Sequence, residues 1–333
     1  MTLTSASLPS LLARDEAPSL QALVDAGLDR LPLPGGGATL ARWQALAEVA
    51  ARDLSLVKLF EGHTDALAIR AELGAGQAPA GSTWGTWCSE PPDARVEMRP
   101  GAAAGSVTLH GRKAWCSGAA TVSHAVVSCW NAEGKPCLAS VAMHQPGVRV
   151  TGEGWVAVGM AGSASVEVVF DGAVAEPLGA PGDYTGRPGF WQGGAGIAAC
   201  WLGGAIGIAR SVRSVVGASE DPYRRAHLGA IDTALAPAVA LLRQAAAEID
   251  AHPKANAQGI ALSTRLAVEV ACEAVMRAAG RAVGAGPLCR DARFARAMAD
   301  LPVYLRQGHA ERDLAARGRQ VAAAGFDWRL AAP

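Results

Sequence analysis

The chain has 333 residues, half of them hydrophobic, which is ample for a large buried core and, by length, for about two domains. Thirty Lys and Arg balance thirty Asp and Glu without any block of like charge, so the electrostatic footprint of a nucleic-acid binder is missing. Seven cysteines, odd in number and never spaced CxxC, and seven scattered histidines argue against a disulfide framework and a zinc site, so reduced thiols and no metal are expected.

The N-terminal stretch "MTLTSASLPSLLARDEAP" lacks a basic region followed by a sustained apolar run, which predicts a cytoplasmic protein. Positions 8 to 75 repeat apolar residues every three or four places, in "SLQALVDAGLDRL" and in the long run "LARWQALAEVAARDLSLVKLFEGHTDALAIRAEL", with "PLPGGGAT" as the break. This predicts a short helical domain over 1 to 82. Positions 83 to 178 change to short alternating segments such as "SVTLHG", "SHAVVSCW" and "SVEVVFDG" between Gly, Pro, Asn and Asp turns. They predict a β-domain over 83 to 188. From 189 to 333 the pattern is helical again, with helices expected at 189 to 219, 222 to 251, 256 to 284 and 291 to 320. The expected fold is therefore α+β and multidomain, with N-terminal helices, a central antiparallel β-barrel or sandwich and a C-terminal four-helix bundle.

The first helix of that bundle carries "GGAGIAACWLGGAIGIAR", whose glycines each lower helix propensity by roughly 1 kcal/mol relative to Ala. Small residues earn such a place by close approach, so burial at a helix–helix or subunit interface is expected. The run is too rich in Gly for a membrane span, and its GxGxxG-like spacing lacks the preceding strand of a dinucleotide site.

Two segments repeat one tripeptide. Trp-Cys-Ser occurs at 87 to 89 in "TWCSEP" and at 115 to 117 in "KAWCSGA". The second lies in "LHGRKAWCSGA", and the β-region ends in "VGMAGSASVEVVFDGAVAEP". In this α-β-α order the chain resembles the acyl-CoA dehydrogenase family, as a divergent member with a short N-terminal part. Leu109, Gly111, Lys113, Trp115, Cys116, Ser117 and Gly118 match one family motif, while Gly159, Met160, Ser163, Ser165, Val168, Phe170, Asp171, Val174 and Pro177 match the other.

The resemblance implies FAD, with the isoalloxazine ring held between two strand ends. Trp87, Cys88 and Ser89 would form one wall, with Cys88 and Ser89 on the pyrimidine edge. Trp115, Cys116 and Ser117 would form the other, with Trp115 against the ring and Ser117 near N5. A large apolar ring calls for an aromatic neighbour and its polar edge for hydrogen-bond partners. In "YRRAHLGAID" Arg225 takes the place of an arginine that reaches the FAD pyrophosphate of a neighbouring subunit, a task suited to its planar fork. A homodimer or homotetramer follows from that implication. So do an acyl thioester substrate, on CoA or a carrier protein, and an electron acceptor such as an electron-transfer flavoprotein.

The activity so implied is α,β-dehydrogenation, yet the base is missing from its place. In "LRQGHAERD" Gln307 falls near the usual glutamate, and a glutamine cannot take a proton. Glu311, four residues on and on the same helical face, is the candidate base. The alternative keeps the fold without dehydrogenation, as a flavin-dependent monooxygenase or a non-catalytic partner subunit.

Overall fold

The computed structural model describes residues 7 to 323. Four helices open the chain: α1 (Leu8–Leu12), α2 (Leu20–Asp25), α3 (Thr39–Arg52) and α4 (Leu54–Glu72). Asp53 separates α3 from α4 and caps the latter, its Oδ1 accepting the Leu56 amide at 2.8 Å. One residue thus both ends a helix and starts the next, and α4 turns back across the sheet.

Seven strands follow: β1 (Trp84–Trp87), β2 (Val96–Pro100), β3 (Val107–Cys116), β4 (His124–Trp130), β5 (Pro136–Ala142), β6 (Val148–Val150) and β7 (Val166–Leu178). The order β4-β2-β3-β7-β5 closes on itself through β4–β5, giving a five-stranded barrel with β1 and β6 at its ends. An all-antiparallel sheet was the expectation, but β1 and β2 both run parallel to β4. Alternation along a strand reports which face is buried and says nothing of its partner's direction. Here the β2–β3 hairpin is the crossover that lets β1 and β4 point the same way. Strands β4 and β5 are buried almost throughout, since Ala66 and Ile69 of α4 cover their outer face with Trp84, Val126 and Leu138.

The remaining helices are α5 (Asp183–Gly186), α6 (Gly189–Val216), α7 (Pro222–Ala251), α8 (Gln258–Val283), α9 (Ala285–Arg290), α10 (Ala292–Leu305) and α11 (Ala310–Ala323). The long helices α6, α7, α8 and α10 pack together, but the single helix expected over 291 to 320 is broken. Gln307 and Gly308 turn back onto the Tyr304 and Leu305 carbonyls, and Ala310 is left-handed at φ 38°. The short α9 also occupies what read as a break.

Helix α6 is long and apolar enough by composition to cross a membrane, yet 67% of its apolar window is buried inside the protein. Its small residues are used within the subunit. A Cβ on Gly203 or Gly207 would strike the main chain of Ala47 or Ala51 in α3, and one on Gly204 would press on Leu54. The helix–helix alternative therefore accounts for the Gly/Ala surface without a second subunit. Gly203→Ala should destabilise the protein by about 1–3 kcal/mol through overpacking. Gly280→Ala in α8, with open space at its Cβ, should be stabilising by up to about 1 kcal/mol. Chemical denaturation of the two variants beside the parent measures both.

Candidate functional site

A cavity of about 530 Å³ lies where the ends of β1 and β3 meet α4, α6 and the turn between α10 and α11. Five of the nine tryptophans line it: Trp87, Trp115, Trp155, Trp191 and Trp201. Such a wall is suited to a planar, apolar ring.

The strand side is built around a buried lysine. Lys113 has no exposed surface, and its Nζ donates to Glu90 Oε1 at 2.5 Å, to Ser128 Oγ at 2.6 Å and to the Ser128 carbonyl at 3.1 Å. Trp130 Nε1 donates to the other Glu90 oxygen at 2.9 Å. Desolvation alone would raise the Glu90 carboxyl. The hydrogen bonds from Lys113, Ser128 and Trp130, with the ammonium charge, outweigh it and hold the carboxyl below its ordinary value. Glu90 directly follows the first Trp-Cys-Ser and Lys113 comes two residues before the second, so one ion pair draws the two segments together. Trp87 Nε1 completes the link by donating to the Ser117 carbonyl at 3.1 Å.

The end of β3 is bulged between Lys113 and Cys116, and there Trp115 takes φ 57°, a left-handed conformation rare for an aromatic residue. The bulge turns the indole outward, 51% exposed, onto the cavity. It also sends Cys116 the other way, fully buried, its Sγ donating to the Lys113 carbonyl at 3.3 Å. Ser117 faces the cavity at the head of a hydroxyl chain, with its Oγ 2.8 Å from Ser165 Oγ, which is 2.9 Å from Ser163 Oγ. Ser163 donates to the Met160 carbonyl at 2.8 Å, so each hydroxyl upstream donates along the chain and Ser117 keeps its lone pairs for the cavity.

The helical side is α4. Lys58, Glu61 and Asp65 follow one another at three- and four-residue spacing, and all three face the cavity. Lys58 Nζ stands 3.8 Å from Glu61 Oε2. Desolvation raises the Glu61 carboxyl, Asp65 adds to the rise, and Lys58 and Arg42 oppose it. Asp65 makes no hydrogen bond or ion pair among the described residues. Arg42 lies behind both, 4% exposed, donating to the Pro32 carbonyl and to Thr64 Oγ1, each at 3.2 Å.

The sequence-derived residues divide. Trp87, Cys88, Ser89, Trp115 and Ser117 share the cavity wall. Burial pushes the Cys88 thiol up to about 12, so it is an inert neutral group. Cys116 is a correction, because the bulge takes it into the barrel. Glu311, the proposed base, is exposed in the first turn of α11, outside the wall, whereas Gln307, Gly308 and His309 line it. The broken helix explains this, since the α-helical i,i+4 relation of Gln307 to Glu311 is lost at the turn. Arg225 is exposed at the start of α7 and pairs with Glu220 at 3.0 Å. Glu61 and Asp65 were missed, although "KLFEGHTDA" carried the signal: three ionisable residues on one face of an otherwise apolar helix.

The lining also leaves polar atoms for bound groups to answer. Most of the buried side-chain polar atoms without a partner in the described structure belong to residues lining this cavity: Arg187 Nε, Trp201 Nε1, Arg265 Nε and Tyr304 Oη. Among the described residues no group of three or more His, Cys, Asp or Glu gathers to hold a metal.

No protein-family model matches the chain, and no curated protein sequence matches it. Solved structures do. The FMN-bound TdsC of Paenibacillus sp. A11-2, a dibenzothiophene monooxygenase, aligns with a TM-score of 0.79 at 22% identity over 96% of this chain and 95% of its own. KijD3 in complex with FMN and a dTDP-linked amino-keto sugar gives 0.75 at 20% identity, covering 94% of this chain and 87% of that one. The methanesulfinate monooxygenase MsuC of Pseudomonas fluorescens gives 0.74 at 19% identity, covering 92% and 89%. At these identities the likeness shows a shared fold, with a closed β-barrel set between helices, and no more.

Removing Lys113 would leave the partly exposed Glu90 carboxylate with only the Ser128 hydroxyl and Trp130 Nε1 as partners. Lys113→Met should cost about 3 kcal/mol, the low end for breaking a buried pair, because Glu90 keeps some contact with water. The depressed Glu90 carboxyl stabilises the fold above its unfolded pKa of about 4.3, and that contribution is lost as pH falls through the lower folded value. Thermal melts between pH 7 and pH 3 should fall more steeply in acid for the parent than for Glu90→Gln.

Proposed function

We propose that the protein is a flavin-dependent oxidoreductase that binds FMN and acts as a monooxygenase. The observation that carries this is the aromatic cavity at the junction of the two Trp-Cys-Ser segments, in a fold whose solved relatives bind FMN. Trp115 would lie against the ring, and the oxygen of Ser117 would accept a hydrogen bond from its edge. Ser89 and the main chain after β1 would meet the pyrimidine side. Reduced FMN, when bound, supplies the two electrons with which dioxygen gives one oxygen atom to a substrate and leaves the other as water.

Acyl-thioester dehydrogenation is the less supported activity, because its expected base positions hold Gln307 and a glycine-rich α6, and Glu311 stands outside the cavity. FMN is favoured over FAD because the similar structures of TdsC and KijD3 hold FMN. The Gly-rich run is the interior of α6, so the electrons would come from a separate reductase rather than from a nicotinamide site of this fold type. A reducing, cytoplasmic setting suits Cys129 and Cys137, which face each other in register across β4 and β5 as free thiols.

A homo-oligomer remains part of the proposal, with its interface moved from α6 to the outer face of α7 and α8. That face carries an alanine-rich groove of about 960 Å³, and Val270 in it is 68% exposed. Light scattering should return at least twice the 34.0 kDa chain mass, and Val270→Glu should shift it toward the monomer.

The functional proposal is tested by titrating the purified protein with FMN and with FAD. FMN should bind more tightly, and Trp115→Ala should weaken it about tenfold, the upper end of what one aromatic contact contributes. The FMN-loaded protein should be reduced by an added reductase with NADH and left oxidised by acyl-CoAs under anaerobic conditions. Bleaching by an acyl-CoA would restore dehydrogenation, and failure to hold any flavin would leave the non-catalytic alternative.

A further inference from the structure

The α4 side of the cavity holds polar groups that the flavin cradle does not use. The Glu61 carboxylate accepts no hydrogen bond from any described residue, and among the described residues its one ion-pair partner is Lys58 at 3.8 Å. Asp65, one turn further, has neither a hydrogen bond nor an ion pair among the described residues. Across from them Tyr304, 1% exposed, carries a hydroxyl without an oxygen or nitrogen partner and with only the Cys200 thiol beside it. All three side chains line the same cavity. Lys58 Nζ, the cation beside Glu61, stands 5.8 Å from the centre of the Tyr304 ring, and Glu61 and Tyr304 act on each other electrostatically.

The buried Tyr304 hydroxyl, left unpaired, is destabilising by about 1–3 kcal/mol, and the half-buried carboxylates of Glu61 and Asp65 line the same aromatic cavity with free lone pairs, so a ligand group there would answer all three. The chemistry required is specific. The carboxylate of Glu61 can only accept, while the Tyr304 hydroxyl can donate. A single group that donates to the first and accepts from the second is a hydroxyl. The indoles of Trp191 and Trp201 on the same side supply the surface for the ring that bears it.

We propose that the α4 side of the cavity binds an aromatic substrate through a ring hydroxyl placed between Glu61 and Tyr304, with Asp65 as a second acceptor. The proposal rests on the flavin assignment only for what happens next; the binding itself is carried by these side chains. Glu61 would draw the hydroxyl proton toward its carboxylate, leaving electron density on the ring oxygen and ring. The proton passes from substrate oxygen to Glu61 oxygen and no other bond changes.

The groups that set the charge of Glu61 are Lys58 and Asp65 on α4, Arg42 on α3, Cys200 on α6 and Tyr304 on α10. With desolvation dominant, the carboxylate is lost on acidification at a higher pH than for a free glutamate. Recognition of the hydroxyl should therefore fade as pH falls through that raised value.

The experiment uses the purified protein, with and without saturating FMN, and two probes of nearly equal shape: 2-naphthol and 2-methoxynaphthalene, in which the donor is blocked. Calorimetry should give at least tenfold tighter binding of the naphthol at pH 8, the ratio shrinking on acidification. Glu61→Gln should reduce the ratio at least threefold and flatten its pH dependence. Tyr304→Phe should reduce it as well while leaving the unliganded melting temperature unchanged or raised, since it deletes an unpaired hydroxyl. A purely structural tyrosine would show the opposite pattern.

Equal affinities for the two probes, no naphthol binding up to its solubility, or an unchanged ratio in both variants would overturn the proposal. FMN binding, read from flavin absorbance in the same samples, separates the two inferences. Flavin binding without hydroxyl discrimination sinks only the substrate assignment, and discrimination without flavin sinks only the flavin assignment.

Discussion

A lysine with no contact with water sits inside the sheet, and the site is organised around it. Lys113 satisfies its three donors on Glu90, the Ser128 hydroxyl and the Ser128 carbonyl. A buried ammonium is tolerated only where such partners are complete, so the sheet must place β3, β4 and the loop after β1 at hydrogen-bond distance from one point. That requirement fixes the spacing of the two Trp-Cys-Ser segments. They are one structure seen from two sides, joined by Lys113–Glu90 beneath and by Trp87 to Ser117 above.

The outward face of the site is strained where the inward face is saturated. Trp115 is left-handed, and so are Met160 and Ala164 on the loop that supplies Ser163 and Ser165. Non-glycine residues in that region are destabilising by roughly 1–3 kcal/mol each, and persist where surrounding contacts over-determine them. The contacts are visible. The Met160 amide donates to Asp300 on α10 at 2.6 Å, Trp155 Nε1 donates to the Met160 carbonyl at 3.2 Å, and a Cβ on Gly159 would strike the Ala299 carbonyl. The helical bundle therefore clamps the loop that orders the serine chain, which couples α10 to the strand side of the cavity as well as to its helical side.

Much of the architecture could be read from pattern alone, because apolar periodicity reports burial and turn residues report breaks. The helical, strand and helical stretches appear in the order that the pattern predicts. The direction of β1 against β4 could not be read, since a strand buried on both faces carries no record of its neighbour. The break at Arg306 to His309 escaped for a similar reason: "LRQGHAERD" has no proline at the turn and its glycine is a weak stop. That one error misplaced Glu311. Cys116 was set in the wall by the resemblance alone: alternation already puts it on the face opposite Trp115, and in the bulged end of β3 it is buried in the barrel.

Glu61 and Asp65 were overlooked for a different reason. A charged residue on an amphipathic helix is ordinarily a solvated face, and nothing in "KLFEGHTDALAIR" states that the helix has no free face there. The structure supplies the missing fact. Helix α4 is covered by the sheet through Ala66 and Ile69, and Thr86 Oγ1 donates to the Gly62 carbonyl at 2.7 Å. Its polar stripe is therefore left with the cavity as its only solvent. Arg42, donating to Thr64 from α3, sets a fixed cation behind that stripe, so the carboxylates are tolerated without being paired. A carboxylate held near a cation but free of hydrogen bonds keeps its lone pairs for a ligand, and this separates a binding group from a structural one on the same helix.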